Sequence, residues 1–401
     1  MRSLPAQAVR VTPADEHWYF GYYDIPAFDK SCRRHLCLKV PFMDRMNEKD
    51  DTAELYCIDL ETGERTRIGE TTAWNFQQAC MLQWHPTLPD TVIYNLRCGD
   101  REYPRRTESG YGAIVKNLAT GESMLLDAPV ANVSRTGEWA VSINFDRMYD
   151  FRPGYGYAGQ RDRFYDVPHP AEDGIFLIDM KTGKSRLTVS LQRIWEFVGG
   201  YFGGDDKKIC INHITFNTDG TRIVFLVRNF RDGKSGWKTA ILTCDTQGEE
   251  LFLLSDFGYA SHYHWRDPQT IAFHSGGLEL GDLGPQLYEL KDLTHTGRAI
   301  DTDFFVRDGH NSYSPDLEWT LYDSYPINGK RDLYLYDLVT KRGGLLGQYE
   351  IVPYSVDDIR CDLHPVWRPD GKAISFDSVH EGFRGLYTMD VQEAMRALRE
   401  G

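Results

Sequence analysis

The feature that most constrains the fold is a repeat in which an apolar strand runs into an acidic or polar turn. The repeat occurs seven times, at residues 55–63, 113–121, 175–183, 240–248, 287–292, 333–338 and 386–391. Successive repeats start 46 to 65 residues apart. Between them lie segments with a turn followed by an apolar strand, at residues 28–40, 84–95, 133–144, 216–226, 265–275, 313–323 and 367–377. A period of roughly 50 residues with about four short strands per unit is typical of a β-propeller.

Seven repeats predict an all-β fold, a single seven-bladed β-propeller domain over residues 1–401. Each blade buries its faces only against its neighbours, so the ring must close to be stable. We therefore expect residues 8–11 to add the outer strand of the last blade, and residues 392–399 to form a short terminal helix. Two stacked β-sandwiches would explain the strands but not the period.

Composition and charge argue against several classes of protein. The net charge of −14 disfavours a nucleic-acid partner, because duplex binding needs a basic footprint. A local arginine cluster or a metal could still bind an acidic substrate. No apolar run is long enough to span a membrane, and residues 1–19 do not resemble a signal peptide. With eight scattered cysteines, which favour free thiols, we expect a cytoplasmic protein without a membrane partner.

Two segments, residues 97–112 and 145–173, lengthen blades two and three. Long insertions on a rigid ring tend to carry function. The second insertion is rich in arginine and tyrosine, which suit anionic and sugar-like ligands through bidentate hydrogen bonds and ring stacking. Its candidate residues are Arg147, Arg152, Tyr155 and Tyr157. A solvated loop whose tyrosines pack on the blade rim is an equally consistent interpretation.

Four consecutive blades carry a histidine three residues before the aromatic residue of the second type of segment. The pairs are His213 and Phe216, His262 and Trp265, His310 and Tyr313, and His364 and Trp367. In blades one to three the same position holds Ile25, Met81 and Val130. Because the innermost strands enter at the central channel, we expect the four imidazoles to converge there. A single histidine is more often a hydrogen-bonded filler, but four in register predict a shared site.

The residue types in this histidine column predict a divalent metal site. Neutral imidazole suits Zn, Mn, Fe or Ni, and a carboxylate shifts the preference toward a harder metal. Asp362 precedes His364 by two residues, so both side chains lie on one face of an extended chain. We expect Mn or Zn to be bound by His262, His310 and His364, with Asp362 as a fourth ligand.

His213 is the member of the column best suited to remain unliganded. It opens the set, and its neighbour is Asn212 rather than an acid. A free imidazole can take up a proton near neutral pH, so we predict that His213 acts as a general base.

The C-terminal half resembles the oligogalacturonate lyases and, more loosely, the ulvan lyases, both of which are seven-bladed propellers. Asp362-Leu363-His364-Pro365 is similar to a His-Pro-His-Pro segment of the first family, with Asp362 in place of the first His. Ser261-His262-Tyr263-His264-Trp265 is similar to its Thr-His-Glu-Phe-Trp metal segment, and residues 212–216 are similar to the segment with its catalytic His. The resemblance covers residues 212–391. The family's Gln ligand has no evident counterpart; Ile359 or Arg360 stands near its place.

This resemblance implies β-elimination at a uronic acid. The C5 proton is poorly acidic, so the uronate carboxylate must be neutralised as negative charge develops. The substrate would be an oligo- or polysaccharide that contains uronate. The residues predicted for these roles are His213 as base, Arg147 or Arg152 at the carboxylate, Tyr155 or Tyr157 at the sugar or the leaving oxygen, and Gln78 and Asn95 at the sugar.

Two other classes of function fit the same sequence. One is a non-catalytic propeller that binds a protein or a glycan and carries a structural metal. The other is a hydrolase; a glycosidase would need two carboxylates, and many aspartates are present. A serine peptidase is disfavoured because no Gly-x-Ser-x-Gly segment occurs. The lyase and the scaffold differ in whether His213 is free beside the metal.

Overall fold

A computed structural model describes residues 2–231, 237–255, 259–276, 286–353 and 356–400. Within these residues the strands form seven antiparallel sheets of 4 strands each. The prediction of a seven-bladed β-propeller is therefore confirmed.

The blades follow one another in chain order, after a first strand that belongs to the last blade. That strand is β1 (Ala8–Arg10). Blades one to three consist of β2 (His17–Tyr19), β3 (Arg34–Val40), β4 (Ala53–Asp59), β5 (Arg65–Thr71); β6 (Gln83–Trp84), β7 (Thr91–Arg97), β8 (Tyr111–Asn117), β9 (Ser123–Leu126); and β10 (Asn132–Val133), β11 (Trp139–Ser142), β12 (Gly174–Asp179), β13 (Lys184–Ser190).

Blades four to seven repeat this arrangement in the second half of the chain. They consist of β14 (Ile209–Phe216), β15 (Arg222–Asn229), β16 (Thr239–Asp245), β17 (Phe252–Ser255); β18 (Ala260–Trp265), β19 (Thr270–Ser275), β20 (Gln286–Lys291), β21 (Gly297–Ala299); β22 (Asn311–Tyr313), β23 (Trp319–Asp323), β24 (Lys330–Asp337), β25 (Arg342–Glu350); and β26 (Val366–Trp367), β27 (Ala373–Ser378), β28 (Gly385–Asp390). Strand β1 completes blade seven by pairing with β28, with Ala8 opposite Met389 and Arg10 opposite Tyr387.

The acidic turns of the repeat are formed by side-chain hydrogen bonds to the backbone. Asp59 and Asp179 each accept hydrogen bonds from the backbone N–H groups two and three residues further on. Gly63 and Gly183 then adopt φ values of 72° and 71°, which favour glycine. The strand residues between such turns are covered by the neighbouring blades, and every residue of β15 is buried.

The described residues form three helices: α1 (Phe145–Phe151) and α2 (Leu191–Phe202) between strands, and α3 (Gln392–Glu400) after the last strand. Helix α1 begins after Asn144, whose side chain accepts a hydrogen bond from the N–H of Arg147. Two 3₁₀ turns of the described segments, Pro153–Tyr155 and Asp357–Ile359, lie in loops. None of these described helices has the length and apolar character needed to cross a membrane. All eight cysteines lie in the described segments and are free.

Two long loops lie on the face of the ring at which the innermost strands start. Because adjacent strands are antiparallel, the loop before each innermost strand lies on the same face as the loop between the second and third strands. Residues 143–173, between β11 and β12, and residues 356–365, before β26, therefore share the face at which the innermost strands start.

Candidate active site

The four predicted histidines lie in or just before the innermost strands of blades four to seven. His213 in β14 and His262 in β18 each lie at a break in the register with the next strand. A β-bulge changes the direction of a side chain. The two imidazoles therefore do not follow the regular alternation of side chains along their strands. His310 directly precedes β22, and His364 lies two residues before β26. His213 and His364 have φ values of 58° and 43°, in the left-handed region.

Three of these histidines form one buried cluster. The ring centroids of His262 and His310 are 4.0 Å apart, and those of His310 and His364 are 4.4 Å apart. Ligand atoms of His310, His364 and Asp362 lie within 4.8 Å of one another. The Nε2 atom of His310 and both ring nitrogens of His364 are buried without a hydrogen-bond partner among the described residues. Unpaired buried nitrogens are costly, so this donor set fits a metal ion.

Two aspartates orient the imidazoles of the cluster. The oxygens of Asp323 lie 2.9 and 3.0 Å from His310 Nδ1, and an oxygen of Asp308 lies 3.1 Å from His262 Nδ1. Each Nδ1–H therefore donates to a carboxylate, which leaves the lone pair of Nε2 available to a metal. Asp323 also accepts hydrogen bonds from the backbone N–H groups of His310 (2.7 Å) and His364 (3.2 Å). One carboxylate thus connects His310 of blade six with His364 of blade seven.

Asp362 is held at the edge of this cluster by two arginines. Its Oδ1 pairs with Arg331, and its Oδ2 lies 3.0 Å from Arg360 Nη2 and 3.9 Å from His364 Nε2. Burial raises the pKa of the Asp362 carboxyl, but Arg331 and Arg360 outweigh burial and hold this pKa well below its usual value. The carboxyl is therefore ionised beside the imidazoles, as a fourth ligand would have to be.

Burial also keeps two of the imidazoles neutral. It lowers the pKa of His262 to about 4, with a further contribution from His310. Burial, followed by His310, lowers the pKa of His364 well below its usual value. Neutral imidazole is the form that binds a metal.

A segment of blade one crosses the channel and reaches the histidines. Pairing of β2 with β3 stops after Tyr19 and resumes only as an isolated bridge at Phe28, so residues 20–27 leave the sheet. Within this segment, the Tyr22 ring lies 4.7 Å from that of His364 and 5.0 Å from that of His213. Tyr22, Tyr23 and Asp24 were not among the site residues predicted from the sequence. The signal was Gly21-Tyr22-Tyr23-Asp24, a polar aromatic stretch beside the position where the histidine column places Ile25.

Asp24, from the same segment, is the partner of His213. Its Oδ2 lies 2.5 Å from His213 Nε2. The imidazole stacks on Tyr263 with ring centroids 4.3 Å apart, and the residue is 6% exposed. His213 Nδ1 has no hydrogen-bond partner among the described residues. His213, Asp24, Gln78 and Phe145 line a small cavity, so the predicted base and one residue predicted for the sugar lie close together.

The blade-three insertion places two of its predicted residues, Arg152 and Tyr155, near Tyr22 and the loop before blade seven. Gly154 N–H donates to Asp358 Oδ1 (3.1 Å), so the insertion reaches the loop before blade seven. Tyr155 Oη accepts a hydrogen bond from Arg360 Nη2 (3.2 Å), and its ring lies 6.2 Å from that of Tyr22. The Arg152 guanidinium lies 4.4 Å from the centroid of the Tyr155 ring.

Three other predicted residues hold the insertion in place instead. All five N–H groups of Arg147 donate to protein acceptors, including Asp162 and four backbone carbonyls. Tyr157 is fully buried and stacks on Phe145 at 4.4 Å. Asn95 donates to Tyr157 Oη (2.7 Å) and to a carbonyl of the next blade. These side chains connect blades two, three and four rather than lining the histidine cluster.

Comparisons with known proteins show similarity at the level of the fold. No protein-family model and no curated protein matches the chain. The solved structure of an oligogalacturonate lyase in complex with manganese has a TM-score of 0.68 at 16% identity, covering 97% of this chain and 94% of its own. An oligogalacturonate lyase from Vibrio parahaemolyticus has a TM-score of 0.65 at 13% identity, covering 98% of both chains. The tricorn protease has a TM-score of 0.50 at 11% identity, covering 96% of this chain and 35% of its own. The resemblance to oligogalacturonate lyases that the sequence predicted is confirmed at the level of the propeller fold.

Proposed function

We propose that this protein is a divalent metal-dependent lyase that cleaves uronate-containing oligo- or polysaccharides by β-elimination. The observation that carries the proposal is the cluster of His262, His310 and His364, two of which are oriented by the carboxylates of Asp308 and Asp323. Beside this cluster lie an oriented imidazole, His213, and a guanidinium, Arg152. This is the combination of groups that proton abstraction next to a carboxylate requires.

The three histidines would hold Mn or Zn, with Asp362 as a fourth ligand. The unpaired nitrogens of His310 and His364 support this assignment, since a metal would bind one nitrogen of each ring. A bound divalent ion would supply Lewis-acid neutralisation of the uronate carboxylate. Asp308 and Asp323 would keep the ligand nitrogens aimed at the channel.

Arg152 is the better supported of the two arginines predicted for the substrate carboxylate. Among the described residues its side chain forms no hydrogen bond or ion pair, and the guanidinium lies 4.4 Å from the centroid of the Tyr155 ring. Arg147 has no N–H group left for a ligand. Arg152 would therefore pair with the carboxylate and orient the sugar.

His213 would remove the C5 proton through Nδ1, while Asp24 stabilises the imidazolium that forms. The electron pair of the C5–H bond becomes the C4=C5 double bond as the C4–O bond breaks. Tyr155 would donate a proton to the departing oxygen. Because Asp24 fixes the orientation of the ring, the base is positioned before the substrate binds.

The test measures whether the protein forms unsaturated uronate from any of a panel of polyuronides. The product is detected by its ultraviolet absorbance. The protein is first stripped of metal and then titrated with Mn²⁺ or Zn²⁺. We expect absorbance to appear only with metal, and the melting temperature to rise on metal binding. Absence of metal binding together with absence of product on every polyuronide would contradict the proposal.

A glycan-binding propeller with a structural metal is the second candidate. It is favoured by the burial of His213 and by the position of Tyr22, which contacts both His213 and His364. In that case the protein would bind metal and glycan, but no unsaturated product would form.

A further inference from the structure

The hydroxyl of Tyr23 pairs with the innermost strand of blade five. Tyr23 is buried and lies in the blade-one segment that crosses the channel. Its Oη donates a hydrogen bond to the carbonyl oxygen of Tyr263 (2.7 Å) and accepts one from the N–H of Tyr263 (3.1 Å). The two tyrosines are 240 positions apart in the chain. Since β18 is the edge strand of its sheet, one phenol takes the place of a strand partner there.

The hydrogen-bonded N–H belongs to the peptide group that joins His262 to Tyr263. The register with β19 skips His262, because Ser261 and Tyr263 pair with successive residues of that strand. The extra residue of a β-bulge is left unpaired, so the ladder does not hold its backbone. The hydroxyl of Tyr23 supplies a hydrogen bond at this peptide group instead.

Two contacts therefore fix the His262 imidazole. An oxygen of Asp308 lies 3.1 Å from Nδ1 and orients the ring, whereas Tyr23 fixes the backbone from which the side chain projects. The Tyr23 ring also packs among the imidazoles, with its centroid 5.0 Å from that of His310 and 6.2 Å from that of His262. Metal ligands must be held to within about 0.5 Å of their working geometry, so a small shift of the bulge would move His262 out of place.

Tyr22, the preceding residue, differs from Tyr23 in one respect. It is also buried, and its ring centroid lies 4.7 Å from that of His364 and 5.7 Å from that of His310. Its hydroxyl, however, forms no hydrogen bond with any residue that the structure describes. The two tyrosines thus share a segment, burial and contacts with imidazoles, and they differ in what their hydroxyls bind.

We infer that Tyr23 is a positioning residue of the metal site: its hydroxyl fixes the peptide group after His262 and so holds that imidazole toward the ion. The inference rests on the proposed function, because it assumes that His262 binds the metal. It makes the site dependent on closure of the ring, since the hydroxyl comes from blade one and the three histidines come from blades five to seven. Coupling is reciprocal, so a metal bound by His262 should in turn stabilise the hydrogen bonds of Tyr23.

The experiment titrates the metal-free full chain with Co²⁺ and compares Tyr23→Phe with the unsubstituted protein. Co²⁺ is a first-row divalent ion that imidazole binds, and its visible absorption spectrum reports the geometry of its ligands. Loss of a group that orients a ligating histidine typically weakens metal affinity by about 10- to 100-fold. We expect the dissociation constant for Co²⁺ to rise by about 10-fold or more in Tyr23→Phe, and the spectrum to change.

Two control variants separate positioning from a general loss of stability. Tyr103→Phe removes another buried hydroxyl that donates to the backbone, at Leu126 O (2.6 Å) in blade two. It should lower the melting temperature and leave the Co²⁺ affinity and spectrum unchanged. Tyr22→Phe should also leave both unchanged. An unaltered Co²⁺ affinity and spectrum in Tyr23→Phe, or an equal loss of affinity in either control, would overturn the inference.

A second measurement needs no variant and serves if Tyr23→Phe does not fold. In the unsubstituted protein, Zn²⁺ should slow hydrogen exchange of the Tyr263 amide by about 10-fold, the reciprocal of the expected effect on affinity. The amide of Trp265, in the same strand but away from the Tyr23 hydroxyl, should change less. Equal slowing of both amides, or none, would overturn the inference.

Failure of the proposed function gives a different pattern. Metal binding that depends on Tyr23, without unsaturated uronate from any polyuronide, would contradict the lyase and support the inference. Unsaturated product from Tyr23→Phe at normal metal affinity would support the lyase and overturn the inference. If the unsubstituted protein binds none of Co²⁺, Zn²⁺ and Mn²⁺, the metal proposal and this inference are both wrong.

Discussion

Asp323→Asn tests whether one buried carboxylate positions the metal ligands of two blades. Asp323 is 0% exposed and accepts hydrogen bonds from His310 N (2.7 Å), His310 Nδ1 (2.9 Å) and His364 N (3.2 Å). Asparagine keeps the shape but replaces one oxygen with an NH₂ donor, which would face an N–H group. The substitution also removes the charge that holds the proton on His310 Nδ1.

The expected effects follow from these contacts. Loss of a hydrogen bond to a buried charged group costs about 1.5–3 kcal/mol, so the free energy of unfolding should fall by at least this amount. Loss of a carboxylate that orients a ligating imidazole typically weakens metal affinity by about 10- to 100-fold. The dissociation constant for Mn²⁺ or Zn²⁺ should rise by that factor.

The assay is calorimetric titration of metal-free protein at neutral pH, with denaturant unfolding measured in parallel. Asp337→Asn is the matched control, because Asp337 is also 0% exposed in blade six and accepts backbone hydrogen bonds, but from Val339 and Thr340. We expect the control to lose stability without losing metal affinity. Unchanged metal affinity in Asp323→Asn, or an equal loss in both variants, would refute the reasoning.

Four further outcomes are expected. His213→Ala should lower turnover by about 10²- to 10⁴-fold, the usual contribution of a general base, with metal content unchanged by elemental analysis; near-normal turnover would exclude it as the base. His364→Ala should lose both metal and turnover, so an active metal-bound variant would exclude it as a ligand. Arg152→Ala should lower kcat more than it raises KM, and the reverse would indicate ground-state binding alone. Burial raises the pKa of Asp146 to about 7 from 3.8, so the folded state keeps a proton that the unfolded chain loses above about pH 4. The contribution of Asp146 to the free energy of unfolding should therefore fall by on the order of 4 kcal/mol as the pH rises from about 4 to about 7, and Asp146→Asn should remove this contribution; identical pH profiles of the two proteins would contradict the shift.

The architecture could be predicted from the sequence because its causes are local. Each blade repeats the same alternation of apolar strand and acidic turn, and Asp59 and Asp179 form that turn with backbone groups only two and three residues away. The histidine column was visible for the same reason. A residue three positions before the strand's aromatic anchor occupies an equivalent place in every blade, so His262, His310 and His364 could be grouped without coordinates.

The partners of these histidines were decided by the closure of the ring. Asp24 and His213 are separated by 189 positions and meet only because blade one departs from its sheet and crosses the channel. Arg147 and Arg152 are five residues apart but have different surroundings. The difference depends on how the insertion folds back between blade three and the loop before blade seven. Strand periodicity specifies which residues share a face of one blade, whereas contacts across the channel depend on the relative positions of all seven blades. The sequence alone therefore determined the ring and the position of its histidines, and only the tertiary structure decided which carboxylates and arginines surround them.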